Sequence, residues 1–214
     1  MTLLTRLERS IGFISVGHLP IYIVSAQALL YLWCLVNPSQ AHLLMLDPAA
    51  VVKGGEYWRL VTFLFVTPVQ NALFAFFFMY LLYIYGTALE NEWGSFSFTL
   101  FYLVGALSTM ISSFFFGGTS GAFYLNTTIF LAFAALHPNF ELMLFFILPV
   151  KIKWLAVLTW IIFGYQVAVG HLNERAAILT SLVNYILFFG SMHVGHVKDM
   201  IRTYRHRRKF KDWQ

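Results

Sequence analysis

The sequence is short of charge and of cysteine. Only 11% of its 214 residues are Asp, Glu, Lys or Arg, less than half of the roughly 25% that soluble globular proteins carry. The single cysteine, Cys34, lies in an apolar stretch, which excludes a disulfide framework and predicts a small apolar packing residue. So little charge also excludes a soluble function for the chain.

Long hydrophobic stretches are abundant instead. Hydrophobic residues make up 59% of the chain, with a mean hydropathy of +0.72 and 23 Phe. Because one crossing of a bilayer needs about 20 apolar residues, the pattern predicts six spans, at 18–36, 70–89, 94–116, 122–136, 155–170 and 176–192. We therefore predict an all-α integral membrane protein with one six-helix membrane domain over residues 1–196 and a basic tail over 197–214.

The basic residues are distributed unevenly between the two sides of this predicted bundle. With six spans, eleven of the 14 Lys and Arg residues fall on the side of the termini, and three fall on the other side. The positive-inside rule then predicts that both termini are cytoplasmic. The tail is expected to lie near anionic lipid headgroups, so no nucleic-acid partner is needed. The compact pattern suggests a bacterial inner membrane.

Two other segments carry smaller expectations. Residues 142–154 are apolar up to Lys151 and Lys153, which predicts an interfacial segment with its lysines at headgroup level. His193 and His196 form the only closely spaced histidine pair. Because zinc needs three or four protein ligands, neither a metal nor another cofactor is expected.

Three groups of short motifs follow one another along the chain. They are LDP at 46–48 with GGEYWRLVTF at 54–63, GTALE at 86–90 with WGS at 93–95 and FYL at 101–103, and FFILPVKIKWL at 145–155. In this order the motifs resemble those of the rhomboid superfamily, in which a Trp-Arg pair lies in the loop between spans one and two. The resemblance implies a six-transmembrane-helix rhomboid-like bundle.

The resemblance also implies a candidate nucleophile. Active rhomboids cleave transmembrane substrates with a serine in a Gly-x-Ser-Gly turn before span four and a histidine in span six. Here Gly118-Thr119-Ser120-Gly121 matches the turn. Ser120 is therefore the candidate nucleophile, although a serine in such a turn is also a good helix N-cap. The hydroxyl needs a base that takes its proton.

The partners of that serine are missing from the expected positions. Span six contains no histidine, and Ile178 stands where the family has its base. His171 is the only histidine near span six on the same side as Ser120, but it lies in a loop, where no helix holds its geometry. Phe74 and Phe78 occupy the positions of the family's oxyanion-binding His and Asn in span two, and a phenyl ring donates no hydrogen bond to an oxyanion.

The sequence thus favours a rhomboid-like pseudoprotease, similar in outline to the derlins, over an enzyme. By resemblance it would bind transmembrane segments of client proteins, in quality control or trafficking. An active rhomboid intramembrane serine protease using Ser120 remains the alternative, and an unrelated transporter or scaffold is a third possibility. Its partners would be membrane lipids and transmembrane clients, with the oligomeric state left open.

Several polar residues complete the candidate site. Trp58 and Arg59 are expected to anchor the first loop at the membrane interface, and Glu90 to cap a neighbouring turn. Polar residues within spans either form interhelical hydrogen bonds or mark a functional site. If the bundle holds a client-binding cavity, the residues expected to line it are Ser120, Asn126, Ser181 and Asn184.

Overall fold

The computed structural model describes residues 12–69, 71–144 and 148–188. The fold is mainly helical. The helices are α1 (Leu19–Val36), α2 (Pro48–Gly54), α3 (Arg59–Thr62), α4 (Ala72–Trp93), α5 (Ser95–Phe116), α6 (Phe123–Leu136), α7 (Ile152–Val169) and α8, which covers residues 172–188. Short 3-10 turns lie at Gly12–Ile14, Pro38–Leu44 and Phe63–Phe65. The tail at 197–214, His193 and His196 lie outside the described residues.

The long helices confirm an all-α membrane protein, but not the number six. Within the described residues, four helices are long and apolar enough to cross a membrane, namely α1, α4, α5 and α7. Helix α6 has 14 residues, and at 1.5 Å per residue it is about 21 Å long, shorter than the ~30 Å hydrocarbon core. The described part of helix α8 ends at residue 188.

Local chemistry sets several helix boundaries. Asn71 caps α4, because its Oδ1 accepts a hydrogen bond from the Leu73 N–H at 3.0 Å. Helix α4 continues past the predicted end at residue 89 as far as Trp93. The extension includes Glu90, which is buried. Gly94, with φ of 82°, alone separates α4 from α5.

The segment between α6 and α7 differs from the prediction. Residues 142–154 divide into a β-hairpin and the start of α7, with β1 (Glu141–Leu144) antiparallel to β2 (Leu148–Lys151). The physical reason for a strand here is that burial alternates from one residue to the next, because Leu142 is buried while Glu141 and Met143 are exposed. The hairpin is a small departure from an all-α fold.

The connection before α8 is also shorter than expected. Residues 172–175 belong to α8 rather than to a loop. Arg175 stabilises this arrangement, because its Nε donates to the Gly170 carbonyl at 2.7 Å and its Nη2 to the Ala168 carbonyl at 2.8 Å. A basic side chain that binds the last carbonyls of a helix is a common C-terminal cap, and here it closes the end of α7.

Two glycines let the helices approach one another closely. A Cβ on Gly86 of α4 would lie 2.9 Å from the Pro20 Cβ of α1. A Cβ on Gly105 of α5 would collide with Leu125 of α6 and lie 2.9 Å from the Asn184 Nδ2 of α8. Small residues at such contacts are typical of membrane helix packing. Helix α6 is consequently held against α5, and it also packs on α4 and α7.

Candidate functional site

Arg59 organises the loop between α1 and α4. Its side chain is only 4% exposed. Nη1 donates to the carbonyls of His42 at 2.7 Å and Met45 at 2.9 Å, and Nε donates to the Glu56 carboxylate at 2.5 Å. A buried guanidinium with these three partners ties α3 to the 3-10 segment before it. Its role in the described structure is to hold the first loop together.

Trp58 shares in the same arrangement from the surface. The Trp58 Nε1 donates to the Leu43 carbonyl at 3.3 Å, while Trp58 as a whole is 53% exposed. The neighbouring Thr62 donates to the Leu44 carbonyl at 2.9 Å. Successive carbonyls of the 3-10 segment are therefore bound by side chains from α3 and from the residue just before it, and the indole face stays on the outside.

Glu90 joins three helices at the opposite end of the bundle. Its Oε1 accepts from the backbone N–H of His18 at 2.7 Å and from the Ser95 hydroxyl at 2.6 Å. His18 precedes α1 and has the left-handed φ of 58°, and Ser95 is the first residue of α5. The carboxylate thus fixes the start of α1 and the turn from α4 to α5.

Ser120 lies in a turn that is held between the first loop and α8. It pairs with Leu46 as an isolated antiparallel bridge, with both N···O distances 2.9 Å. The preceding Gly117 and Gly118 have φ of 75° and 91°. A Cβ on Gly118 would lie 2.6 Å from the Asn173 Nδ2. These positions need glycine whether or not the serine is reactive.

His171 does not bond to this serine. Its residue is exposed and its backbone N–H donates to the Glu174 carboxylate at 3.3 Å. Within the described chain, no hydrogen bond joins Ser120 Oγ to His171, and residues 172–188 of α8 contain no histidine. In the described residues Ser120 and His171 are therefore not joined as the two members of a Ser–His dyad. The same part of the chain also holds no group of three metal-ligating side chains.

A groove lies between α4 and α7. Both helices pack on α6 but make little direct contact with each other. The resulting cavity has a volume of about 310 Å³. Its lining comes mostly from these three helices: Phe78, Leu81, Leu82, Tyr85, Phe123, Asn126, Thr127, Phe130, Leu142, Leu155, Thr159, Ile162, Phe163 and Gln166. Phe123 and Ile162 are 44% and 45% exposed, so the groove opens on the outer surface of the helical bundle.

Two amides in the groove lack hydrogen-bond partners. Asn126 is 4% exposed, and neither its Oδ1 nor its Nδ2 has a partner. The Oε1 of Gln166 is buried and also unpaired. Thr127 and Thr159, by contrast, donate to the Phe123 and Leu155 carbonyls of their own helices. Gln166 is not among the residues predicted from the sequence, although an amide within an apolar span is a signal of a functional site.

The other predicted polar residues lie elsewhere. Ser181 donates to the Ile178 carbonyl of its own helix at 2.9 Å, and Asn184 Nδ2 donates across to the Phe101 carbonyl of α5 at 3.1 Å. Of the four residues expected to line one cavity, the structure places Asn126 in the groove, whereas Ser120, Ser181 and Asn184 are not among its lining residues.

The sequence matches the model of one protein family. A family model described as a eukaryotic integral membrane protein matches residues 16–204, which is most of the chain. No curated protein matches the sequence. The prediction of an integral membrane protein is confirmed, but that of a bacterial inner membrane is wrong. Hydropathy and basic charge report spans and orientation, and these signals are the same in bacterial and eukaryotic membranes. The chain belongs to the family of eukaryotic integral membrane proteins named DUF1751.

Proposed function

We propose that this protein is a rhomboid-like membrane protein that binds transmembrane segments of client proteins without cutting them, in their quality control or trafficking. The proposal includes six spans, with α6 and α8 as the two that complete the set, and both termini in the cytoplasm. The observation that carries it is the groove between α4 and α7, which opens outward and contains unpaired amides.

The shape and lining of the groove fit one face of a helix. Its walls are two long apolar helices, and Leu81, Phe130 and Ile162 present hydrocarbon to the space between them. A volume of about 310 Å³ accommodates a few side chains, so a client helix would lie along the groove and insert only one face. In a bilayer, close packing of this kind is the main force that holds helices together.

The surroundings of Ser120 support binding rather than cleavage. The Ser120 backbone is paired with Leu46, and His171 is exposed and not hydrogen-bonded to Ser120. Phe78, at the position of the family's oxyanion-binding Asn, lines the groove with a phenyl ring. An acyl transfer needs both a base and preorganised donors, and in the described residues no histidine is hydrogen-bonded to Ser120.

Photocrosslinking tests the binding of a helix in the groove. The full-length protein carries p-benzoyl-phenylalanine at Ile162, on the rim, and is reconstituted with a synthetic single-span peptide of Leu and Ala. A matched variant carries the same group at Ile161, which is 63% exposed on α7 and does not line the groove. We expect several-fold more peptide adduct from position 162. Equal yields from both positions would contradict the proposal.

The alternative, a serine protease, has the Gly-Thr-Ser-Gly turn in its favour. A fluorophosphonate probe distinguishes the two functions when the protein is compared with Ser120→Ala in the same detergent. We expect no labelling of either protein, while an active rhomboid in that detergent is labelled. Labelling that disappears in Ser120→Ala would overturn the non-catalytic proposal and make His171 the next residue to change.

A further inference from the structure

We infer that the groove selects client helices that carry an amide or hydroxyl side chain about one helical turn from the end of the bundle at which the first loop lies. This inference rests on the proposed function and adds the chemical class and the depth of the residue that is recognised. It starts from the two unpaired amides of the groove, Asn126 and Gln166.

The two amides lie at the same depth. Helix α6 begins at Phe123, beside the Ser120 turn that pairs with the first loop, and α7 ends at Val169, shortly before Asn173 contacts that turn. Asn126 is three residues after the start of α6, and Gln166 is three residues before the end of α7. At 1.5 Å per residue each lies about 4.5 Å from its helix end.

Hydrogen bonding decides which occupant suits these amides. An acyl chain offers neither a donor nor an acceptor, so it would leave both Asn126 atoms unpaired in an apolar environment. The backbone of a client helix is already bonded within that helix. A client side chain that both donates and accepts, as the amides of Asn and Gln and the hydroxyls of Ser and Thr do, satisfies both atoms of the Asn126 amide.

The other residues that line the groove narrow down which client side chains it accepts. Thr127 and Thr159 bond to carbonyls of their own helices, so they do not compete for the client side chain in the same way. None of the residues that line the groove is Asp, Glu, Lys or Arg. A charged client side chain would therefore enter without a counter-charge, which is costly inside a membrane. Neutral polar residues are the class that the groove fits.

The test uses the benzoyl-phenylalanine protein at Ile162 with three synthetic peptides, each with a Leu/Ala span of about 20 residues. The first peptide carries Asn at the fourth position from each end, so that either orientation presents one amide at the depth of Asn126. The second carries Leu at those positions, and the third carries a single Asn at the centre. We expect the first peptide to bind with roughly 3- to 15-fold higher affinity than the other two. The yield of adduct as a function of peptide concentration measures this affinity.

Variants of the protein assign the preference to the amides. Asn126→Leu and Gln166→Leu should each reduce the ratio of end-Asn adduct to Leu-peptide adduct, which is measured for every variant. Thr159→Val is the matched control, since it changes a polar groove residue whose hydroxyl is already bonded, and it should keep the full preference. If Asn126→Leu fails to crosslink any peptide because it misfolds, Gln166→Leu decides the result.

The possible outcomes separate this inference from the proposed function. Equal crosslinking of the end-Asn and Leu peptides overturns the inference while leaving client binding intact. A preference for the central Asn overturns the depth that we assign. Adducts with lipid acyl chains and with no peptide overturn both the inference and the proposed function. A preference lost in both Leu variants and kept in Thr159→Val supports the inference.

Discussion

The two sides of α6 treat polar groups differently. On the side that faces α5 and α8, Gly105 lets Leu125 approach closely, and Asn184 donates to the Phe101 carbonyl. On the side that faces α4 and α7, these two helices both pack on α6 but stand apart from each other, and Asn126 is left without a partner. We refer to these as the closed side and the groove side of α6.

The difference separates stability from function within one helix. Burying an amide without a partner costs free energy in any apolar surrounding. On the closed side the Asn184 Nδ2 is bonded and only its Oδ1 lacks a partner, whereas both amide atoms of Asn126 lack one. The groove side keeps this unfavourable amide among the residues that line the groove. The first loop belongs with the closed side, because Arg59 holds the carbonyl of Met45 next to Leu46, which pairs with Ser120 before α6.

The largest expected effect is in the first loop. Arg59→Leu removes three hydrogen bonds and leaves the Glu56 carboxylate and the His42 and Met45 carbonyls without this donor. Loss of one partner of a fully buried ion pair costs about 3–5 kcal/mol, and because the Glu56 side chain is 26% exposed, the lower end of that range applies. We expect the free energy of unfolding in detergent micelles to fall by about this amount, with protease cleavage appearing first in the first loop.

Lys53→Met is the matched control for that change. Lys53 is an exposed basic residue in the same loop, and surface substitutions usually change stability by less than about 0.5 kcal/mol. An Arg59→Leu protein as stable as Lys53→Met would show that the first loop does not depend on its buried guanidinium, and it would separate the loop from the closed side.

The next effect measures how tightly the closed side is packed. Gly105→Ala introduces a Cβ that collides with Leu125 and crowds Asn184. Overpacking of this kind costs about 1–3 kcal/mol. In Gly164→Ala, the matched control on α7, the new Cβ meets no atom within 4 Å, so the helix should keep or gain stability. Equal free energies of unfolding for Gly105→Ala and Gly164→Ala would show that the closed side can accommodate a Cβ at Gly105.

The sequence predicts the helices better than it predicts the site. Apolar stretches located the spanning helices to within a few residues, because the bilayer demands a continuous apolar surface over about 20 residues. The hairpin at residues 141–151 was not predicted. Burial alternates with a period of two residues around Leu142, but over too few residues to distinguish a strand from an interfacial segment. Their pairing as a hairpin depends on residues that meet only in the folded chain.

The candidate site depends even more on the tertiary structure. An unpaired amide and a paired one look the same in a sequence, and Asn126 and Asn184 both read as polar residues within spans. Only the helix packing distinguishes them. Arg59 was expected at an interface by its position beside Trp58, and its contacts with the His42 and Met45 carbonyls required the fold of the loop.

A third substitution compares the two amides directly. Asn184→Leu removes the hydrogen bond to Phe101 across α5 and α8, and such bonds between membrane helices contribute about 0.6–1.7 kcal/mol. Asn126→Leu removes an amide that has no partner, so we expect unchanged or increased stability in the absence of a client. Equilibrium unfolding of both variants measures the difference. Equal destabilisation would remove the distinction between the two sides of α6.

The smallest expected effect concerns an exposed pair at the far end of α6. The Nε2 of His137 lies 3.1 Å from the Glu92 carboxylate, and both side chains are about 40% exposed. Exposed ion pairs contribute little, because water and salt screen them. Glu92→Gln should lower the free energy of unfolding by less than about 0.5 kcal/mol.

A double-mutant cycle isolates that contribution. Glu92→Gln, His137→Gln and the double variant together give the coupling free energy between the two side chains, free of their separate effects on α4 and α6. His137 also lies against Phe133, with ring centroids 4.9 Å apart, so its own substitution costs more than the pair does. A coupling as large as the loss in Gly105→Ala would mean that the exposed end of α6 holds this helix in the bundle as strongly as its closed side does.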